Sequence, residues 1–209
     1  MKKTELVKLD ISRTLKEMCT HQSLESITVG ALAKACGINR GTFYYHFKDI
    51  YDLIIWTFEL EVAKPLEDYL TGHDYGTWKG IMGFCLEQMY NSKSFYCQAL
   101  KIEGQNNLRE YMEKRNYDCW KILMNKYIAA THGDFVHTDQ YLNFFIKYTA
   151  QAVSNMIVGW AIEGMKIPVK EMEGMDQIAT KGIYGVVDNI IVGGFAQKQV
   201  NPVDNEIKM

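Results

Sequence analysis

Apolar residues recur along this chain at helical spacing, three and four apart, and the two-residue alternation of strands is nearly absent. Val7, Ile11, Leu15 and Met18 form one stripe, predicting a first helix over about residues 4–20. The polar stretch HQSLESI breaks it. Thr28 is a good N-cap, and Val29, Leu32, Ala33 and Cys36 follow at i, i+3, i+4 and i+7, a short second helix that Gly37 ends. Asn39 caps a short third helix, about 40–46. Asp49 caps a long fourth with Ile50, Leu53, Ile54, Thr57 and Phe58 on one face, which Pro65 is expected to kink or shorten. Trp78, Ile81, Met82, Cys85, Leu86, Met89 and Tyr90 define a fifth; Phe95, Ala99 and Ile102 mark a short sixth. Trp120, Leu123, Met124, Tyr127 and Ile128 end a long seventh that begins near Asn107. Leu142, Phe145, Thr149, Val153, Met156 and Trp160 run down an eighth, and Ile183, Val186, Val187, Ile190 and Ile191 mark a ninth. The polar tail QKQVNPVDNEIKM is expected to fray. The pattern predicts an all-α protein of about nine helices.

The second and third helices have the form of a helix-turn-helix. Leu32, Cys36, Ile38 and Phe43 supply apolar contacts, Ala33 is small where the helices press together, and Gly37 permits a tight turn. The third helix lies in GINRGTFYYHF, which packs five rings, counting His46, into eleven residues. Phe43 and Phe47 read as core anchors. DNA accounts for the rest. Arg40 at the start of such a helix reaches guanine O6 and N7 in the major groove, and Thr42 a base edge or thymine methyl. Gly41 lets the backbone approach the bases. Tyr44, His46 and Thr28 can donate to phosphate oxygens, and Lys48 adds a charge there. Asn39 and Tyr45 complete the candidate DNA-contacting set.

Net charge is −2, which taken alone argues against a nucleic-acid partner. Its distribution changes the picture. Residues 1–50 hold eight Lys/Arg and five Asp/Glu; the remainder holds fifteen and twenty. A basic head on an acidic body suits a protein that meets a polyanion with its head only. No apolar run approaches the ~18 residues a membrane span needs. Glu5 and Asp10 interrupt any N-terminal apolar stretch, so no secretion signal is expected and the cytoplasm is the expected location. The five cysteines (19, 36, 85, 97 and 119) form no CxxC pair, which fits free thiols in a reducing compartment. The histidines (21, 46, 73, 132 and 137) are scattered, and no catalytic triad, metal motif or Gly-rich phosphate loop is present. No metal ion, cofactor or enzymatic activity is expected; an all-α enzyme is the alternative from another class.

The stretch ITVGALAKACGINRGTFYYHFKDIYDLI (27–54) resembles the DNA-binding signature of the TetR family of bacterial transcriptional regulators, at Thr28, Leu32, Ala33, Gly37, Ile38, Phe43, Tyr44, His46 and Phe47. The resemblance implies a three-helix head (1–48) and a helical ligand-binding and dimerisation body (49–200), and the polar composition of 201–209 implies a frayed tail. It departs where the family places a phosphate-contacting Lys followed by Glu: here Ile50 and Tyr51 stand there, with Lys48 two residues earlier. SNMIVGWAIEGMKIPVKEM (154–172) is similar to a subgroup that includes regulators of dihydroxyacetone kinase operons. The resemblance implies a homodimer, joined through the eighth and ninth helices, that reads a palindromic operator in double-stranded DNA. Ala150, Ala152, Ser154, Gly159, Gly182 and Gly185 would allow those helices to approach closely.

The body is rich in Met and aromatic residues: Trp78, Met82, Cys85, Met89, Phe95, Trp120, Met124, Phe145 and Trp160. Such residues suit an adaptable pocket for an apolar or aromatic effector, and equally a plain core. The expected function is a ligand-responsive repressor, with a co-activator working through a partner protein as the alternative.

Overall fold

A computed structural model describes residues 3–74, 80–104, 107–133 and 140–192 of the chain. Trp78, His137 and the tail 201–209 lie outside them. All regular structure among the described residues is helical. The head is α1 (Lys3–Met18), a 3-10 turn (Leu24–Ser26), α2 (Val29–Ala35) and α3 (Arg40–His46). Ile11, Leu15, Leu32, Phe43 and Leu53 meet in its centre, fully buried.

The long fourth helix differs from expectation. α4 (Ile50–Phe58) passes into a π-helical turn (Glu59–Ala63) and then α5 (Lys64–Gly72) as one uninterrupted rod. Pro65 does not end it. Proline lacks a donor and crowds the carbonyl four residues back, and both conflicts ease where it occupies the first turn of α5, directly behind the wider π turn. The body continues with α6 (Ile81–Asn91), α7 (Lys93–Ala99), α8 (Leu108–His132), α9 (Gln140–Ile162) and α10 (Val169–Val192). Counting the rod once, the described residues form nine helices.

Asn107 caps α8 by accepting from the Glu110 amide at 3.0 Å. α8 and α9 are stitched by Asn116, whose Nδ2 donates to the Ala150 carbonyl at 2.9 Å and to Ser154 Oγ at 3.1 Å. α10 packs mainly on α6. It starts fourteen residues before the apolar stripe that marked the ninth helix, because few of its residues face the core: only Met172 and Val187 are buried. One continuous apolar cluster runs from Ile11 in the head to Val187 in α10.

Candidate nucleic-acid interface

The angle between α2 and α3 is set locally. Thr28 Oγ1 accepts the Ala31 amide at 3.1 Å and starts α2. Gly37 turns out of it at φ +67°, with the Gly37 amide on the Lys34 carbonyl and the Ile38 amide on the Ala33 carbonyl. Those two bonds make a Schellman motif, closed by apolar Ile38. Asn39 Oδ1 then accepts both the Thr42 amide at 2.7 Å and the Thr42 hydroxyl at 3.1 Å. A Cβ on Gly41 would lie 3.1 Å from that same oxygen, so the glycine protects the cap as well as baring the backbone.

α3 presents two different faces. Phe43 and the following Phe47 are buried, whereas Arg40 and Gly41 are exposed and Tyr44 and Tyr45 are 51% and 78% exposed. Arg40 makes no ion pair or hydrogen bond among the described residues. Tyr44 stands edge-on to Phe43 and Tyr45 edge-on to His46, which limits the sweep of both exposed rings. Burial, helped by nearby Lys8, holds the His46 pKa below the ordinary histidine value, which favours the neutral ring. Lys48 is exposed; its backbone amide donates to Asp52 Oδ2 at 3.0 Å, while Asp49 Oδ1 accepts the Asp52 amide at 2.8 Å. Asn39, Arg40, Gly41, Thr42, Tyr44, Tyr45, His46 and Lys48 therefore fall on α3, its cap and the residues just after it, and Thr28 caps α2. Within this set the hydroxyl of Thr42 and the amide oxygen of Asn39 are engaged with each other.

Polar ties join this head to the body. Gln98 of α7 donates to the Cys19 carbonyl at 2.9 Å and accepts the Leu24 amide at 2.7 Å. The π turn is held on two sides. Glu61 pairs with Lys16 of α1 and accepts the Tyr96 hydroxyl of α7 at 2.9 Å. Glu59 accepts from Tyr111 of α8 at 2.8 Å and from Arg115 at 3.2 Å, and Arg115 also donates to Glu67 of α5 at 2.7 Å. That last hydrogen bond holds the Glu67 carboxyl below its ordinary pKa. Arg115 Nε sits 3.2 Å from Glu59 Oε2 without a hydrogen-bonding angle, so the contact there is ionic only.

A cavity of about 430 Å³ opens in the body. Its apolar wall is Leu66 and Leu70 of α5, Ile81 and Met82 of α6, and Trp120 and Leu123 of α8. Its polar wall is Asn116 together with Glu173, Asp176, Gln177, Thr180 and Lys181 of α10. Of the Met and aromatic set named from the sequence, the structure brings Met82 and Trp120 to this cavity. Met89, Phe95 and Met124 are fully buried core, Cys85 is buried against the same cluster, and Phe145 packs on it half-buried. Trp160 is spent on the fold: Nε1 donates to the Ile167 carbonyl at 2.8 Å and the ring stacks on Tyr90.

Comparison with known proteins decides the family. The model described as "Bacterial regulatory proteins, tetR family" matches residues 13–55, and "Transcriptional regulator C-terminal region" matches 76–182, half of the chain by itself. The chain belongs to the TetR family of bacterial transcriptional regulators. Among curated relatives of this regulator, the "HTH-type dhaKLM operon transcriptional activator DhaS" of Lactococcus lactis is 24% identical over 73% of this chain and 78% of its own. An HTH-type transcriptional regulator of Staphylococcus aureus is 25% identical over 77% of this chain and 84% of its own. A solved structure of the dihydroxyacetone kinase operon activator DhaS superposes with TM-score 0.65 at 17% identity, covering 85% of this chain and 96% of that one, a likeness of fold.

In this TetR-family regulator the rod from α4 to α5 starts just after α3, where Trp56 meets Phe47 edge-on, and ends on the cavity wall. The polar wall of α10 escaped the sequence reading, because the apolar residues of 169–182, Met172, Met175 and Ile178 among them, are sparse and set among polar ones. Its signal was two acids three residues apart, Glu173 and Asp176, which share a face once the segment is helical. Among the described residues no helix is long and apolar enough to cross a membrane.

Proposed function

We propose that this TetR-family regulator binds a palindromic operator as a two-fold dimer, placing α3 of each protomer in successive major grooves, and that a small molecule in the body cavity modulates binding. The observation that carries this reading is the division of α3: Phe43 locks one side into the core while Arg40, Gly41, Tyr44 and Tyr45 are offered outward. Arg40 and Thr42 read bases. Thr28, Tyr44, Tyr45, His46 and Lys48 fix the register on phosphates. Two such helices must stand ~34–36 Å apart to read one turn of DNA. A ligand that prefers one setting of the rod changes that spacing, and only by its differential affinity for the two settings.

Dimerisation is supported by two exposed stripes of equal spacing. Tyr141, Phe144, Tyr148 and Ala152 run down α9, and Met175, Ile178, Gly182 and Val186 down α10; Phe144 is 71% and Ile178 75% exposed. A Cβ on Gly182 or Gly185 would meet nothing within 4 Å, so nothing described in the protomer explains their smallness. A second copy packed there would. Ala150 and Ser154, in contrast, are buried against α8. Sedimentation is expected to show a dimer at micromolar concentration, and Ile178→Asp a monomer; a wild-type monomer overturns the assembly.

A dimer seated on a promoter excludes polymerase, which makes repression the first reading. The second, activation with a partner protein, is favoured by the activator named among the relatives. A promoter–reporter fusion in cells with and without the regulator separates them by the sign of the change. Binding itself is tested by a gel shift at low salt, where a retained operator fragment outcompetes random DNA.

Lys48→Ala is expected to weaken binding to every sequence and to make the plot of log K against log salt shallower by roughly two, one lost charge per half-site at about −0.9 each. An unchanged slope would show that the carboxylates of Asp49 and Asp52 beside it keep phosphate away.

A further inference from the structure

The cavity that the proposed function assigns to an effector is not electrically neutral in its surroundings. Glu173 and Asp176 lie one helical turn apart on the α10 wall. Glu173 has local support: its carboxyl presses against the first turn of α6, so closely that a Cβ on Gly83 would lie 2.8 Å from it, and Gln177 donates to it at 3.3 Å. A helix N-terminus favours a carboxylate there. Asp176 has no such support. Among the described residues it accepts no hydrogen bond and joins no ion pair. Burial and the neighbouring Glu173 charge push its pKa up to about 6. The remaining ionisable groups on the wall are Cys119, Tyr184 and Lys181. Burial raises the Cys119 thiol to about 11, leaving it uncharged. Lys181 is exposed, and five residues along α10 place it about 140° around the helix from Asp176.

We infer that the ligand of this cavity is a small hydrophobic cation, an amine or quaternary ammonium on an apolar or aromatic body, held by Asp176 with Glu173 behind it. The assignment rests on the effector reading above and names its chemical class. Leu66, Leu70, Ile81 and Leu123 take the apolar body. Trp120 supplies an aromatic ring on the wall, which attracts a cation more than a neutral or anionic guest. A carboxylate withdrawn from water with no partner is costly, and a cationic guest removes that cost as it binds. An anion of equal size meets the two carboxylates, with exposed Lys181 the one cation among the lining residues.

The test is calorimetric titration of the full chain with benzyltriethylammonium, a permanent cation, and with 4-tert-butylbenzoate, an anion of similar apolar area. Wild type, Asp176→Asn and the cavity-filling Leu123→Trp are compared after circular dichroism has shown each to be folded. The cation is expected to bind wild type, to bind Asp176→Asn at least tenfold more weakly, and to lose binding in Leu123→Trp. Its affinity for wild type is expected to fall as pH drops through about 6, where Asp176 takes up a proton, and to fall less in Asp176→Asn. Equal or tighter binding of the anion, cation affinity unchanged in Asp176→Asn, or binding of neither probe overturns the assignment. Operator affinity measured beside each titration separates this from the effector reading. A cation that binds and leaves operator affinity unchanged sinks the effector role and keeps the site. An anion that binds and shifts operator affinity keeps the role and sinks the cation.

Discussion

Arg40→Ala is expected to weaken operator binding by about 1–3 kcal/mol per half-site, and by about twice that in a dimer. It should also relax base preference at one symmetric pair of positions. Arg40 is the first residue of α3, where the helix's own partial positive charge opposes a cation. No described carboxylate pairs with it, so folding gains nothing from its charge. Its side chain stands beside Gly41, which keeps the helix backbone bare for close approach. Tyr44→Phe is the matching control. It keeps the ring that stands edge-on to Phe43 and removes only the hydroxyl. Its loss is expected to be equal for operator and random DNA, because a phosphate contact carries no base information. Affinity measured across a panel of single-base operator variants checks both. Base preference that changes in Tyr44→Phe and not in Arg40→Ala would reverse the two roles.

The head was legible from sequence because its decisive bonds are local. Thr28 to Ala31, Asn39 to Thr42 and Asp49 to Asp52 each span three residues, and Gly37 bonds its neighbours. Caps and turns of this kind leave residue-specific marks. The rod was not legible. The π turn at Glu59–Ala63 is tied by partners 35 to 56 residues away, and nothing in the local pattern announces it. The cavity was half legible. Met and aromatic residues are equally at home in a core, so Phe95, Met89 and Met124 read the same as Met82 and Trp120 before packing separates them. The beginning of α10 was missed because most of its inward face is polar and meets a cavity, with Met172 the one buried apolar residue there.

Glu61→Leu is expected to destabilise the protein by about 2–4 kcal/mol and to loosen head from body. Glu61 sits in the π turn, between α4, which follows the head, and α5, which lines the cavity. Its carboxylate pairs with Lys16 of α1 and accepts the hydroxyl of Tyr96 of α7. Tyr96 is fully buried, and burial beside this carboxylate keeps its hydroxyl protonated far above the usual range. Leucine leaves that hydroxyl without its acceptor, which accounts for most of the cost. Lys16 is about a quarter exposed and can turn toward water, which limits its share. Glu61→Gln retains an acceptor for Tyr96 and gives up only the ion pair, so its cost is expected to stay near 1 kcal/mol. Urea unfolding of both variants checks the order. A loss in Glu61→Gln as large as in Glu61→Leu would place the energy in the Lys16 charge and not in the Tyr96 hydrogen bond. The functional consequence follows from position. A rod released from α1 at this point transmits less of any rearrangement at Leu66 and Leu70 to α3. Glu61→Leu should then hold operator affinity nearly constant on addition of a cavity ligand that shifts it in wild type, while calorimetry shows the ligand still bound. Full ligand response in a folded Glu61→Leu protein would move the coupling to the Gln98 ties and the buried Ser12–Thr57 contact between α1 and α4.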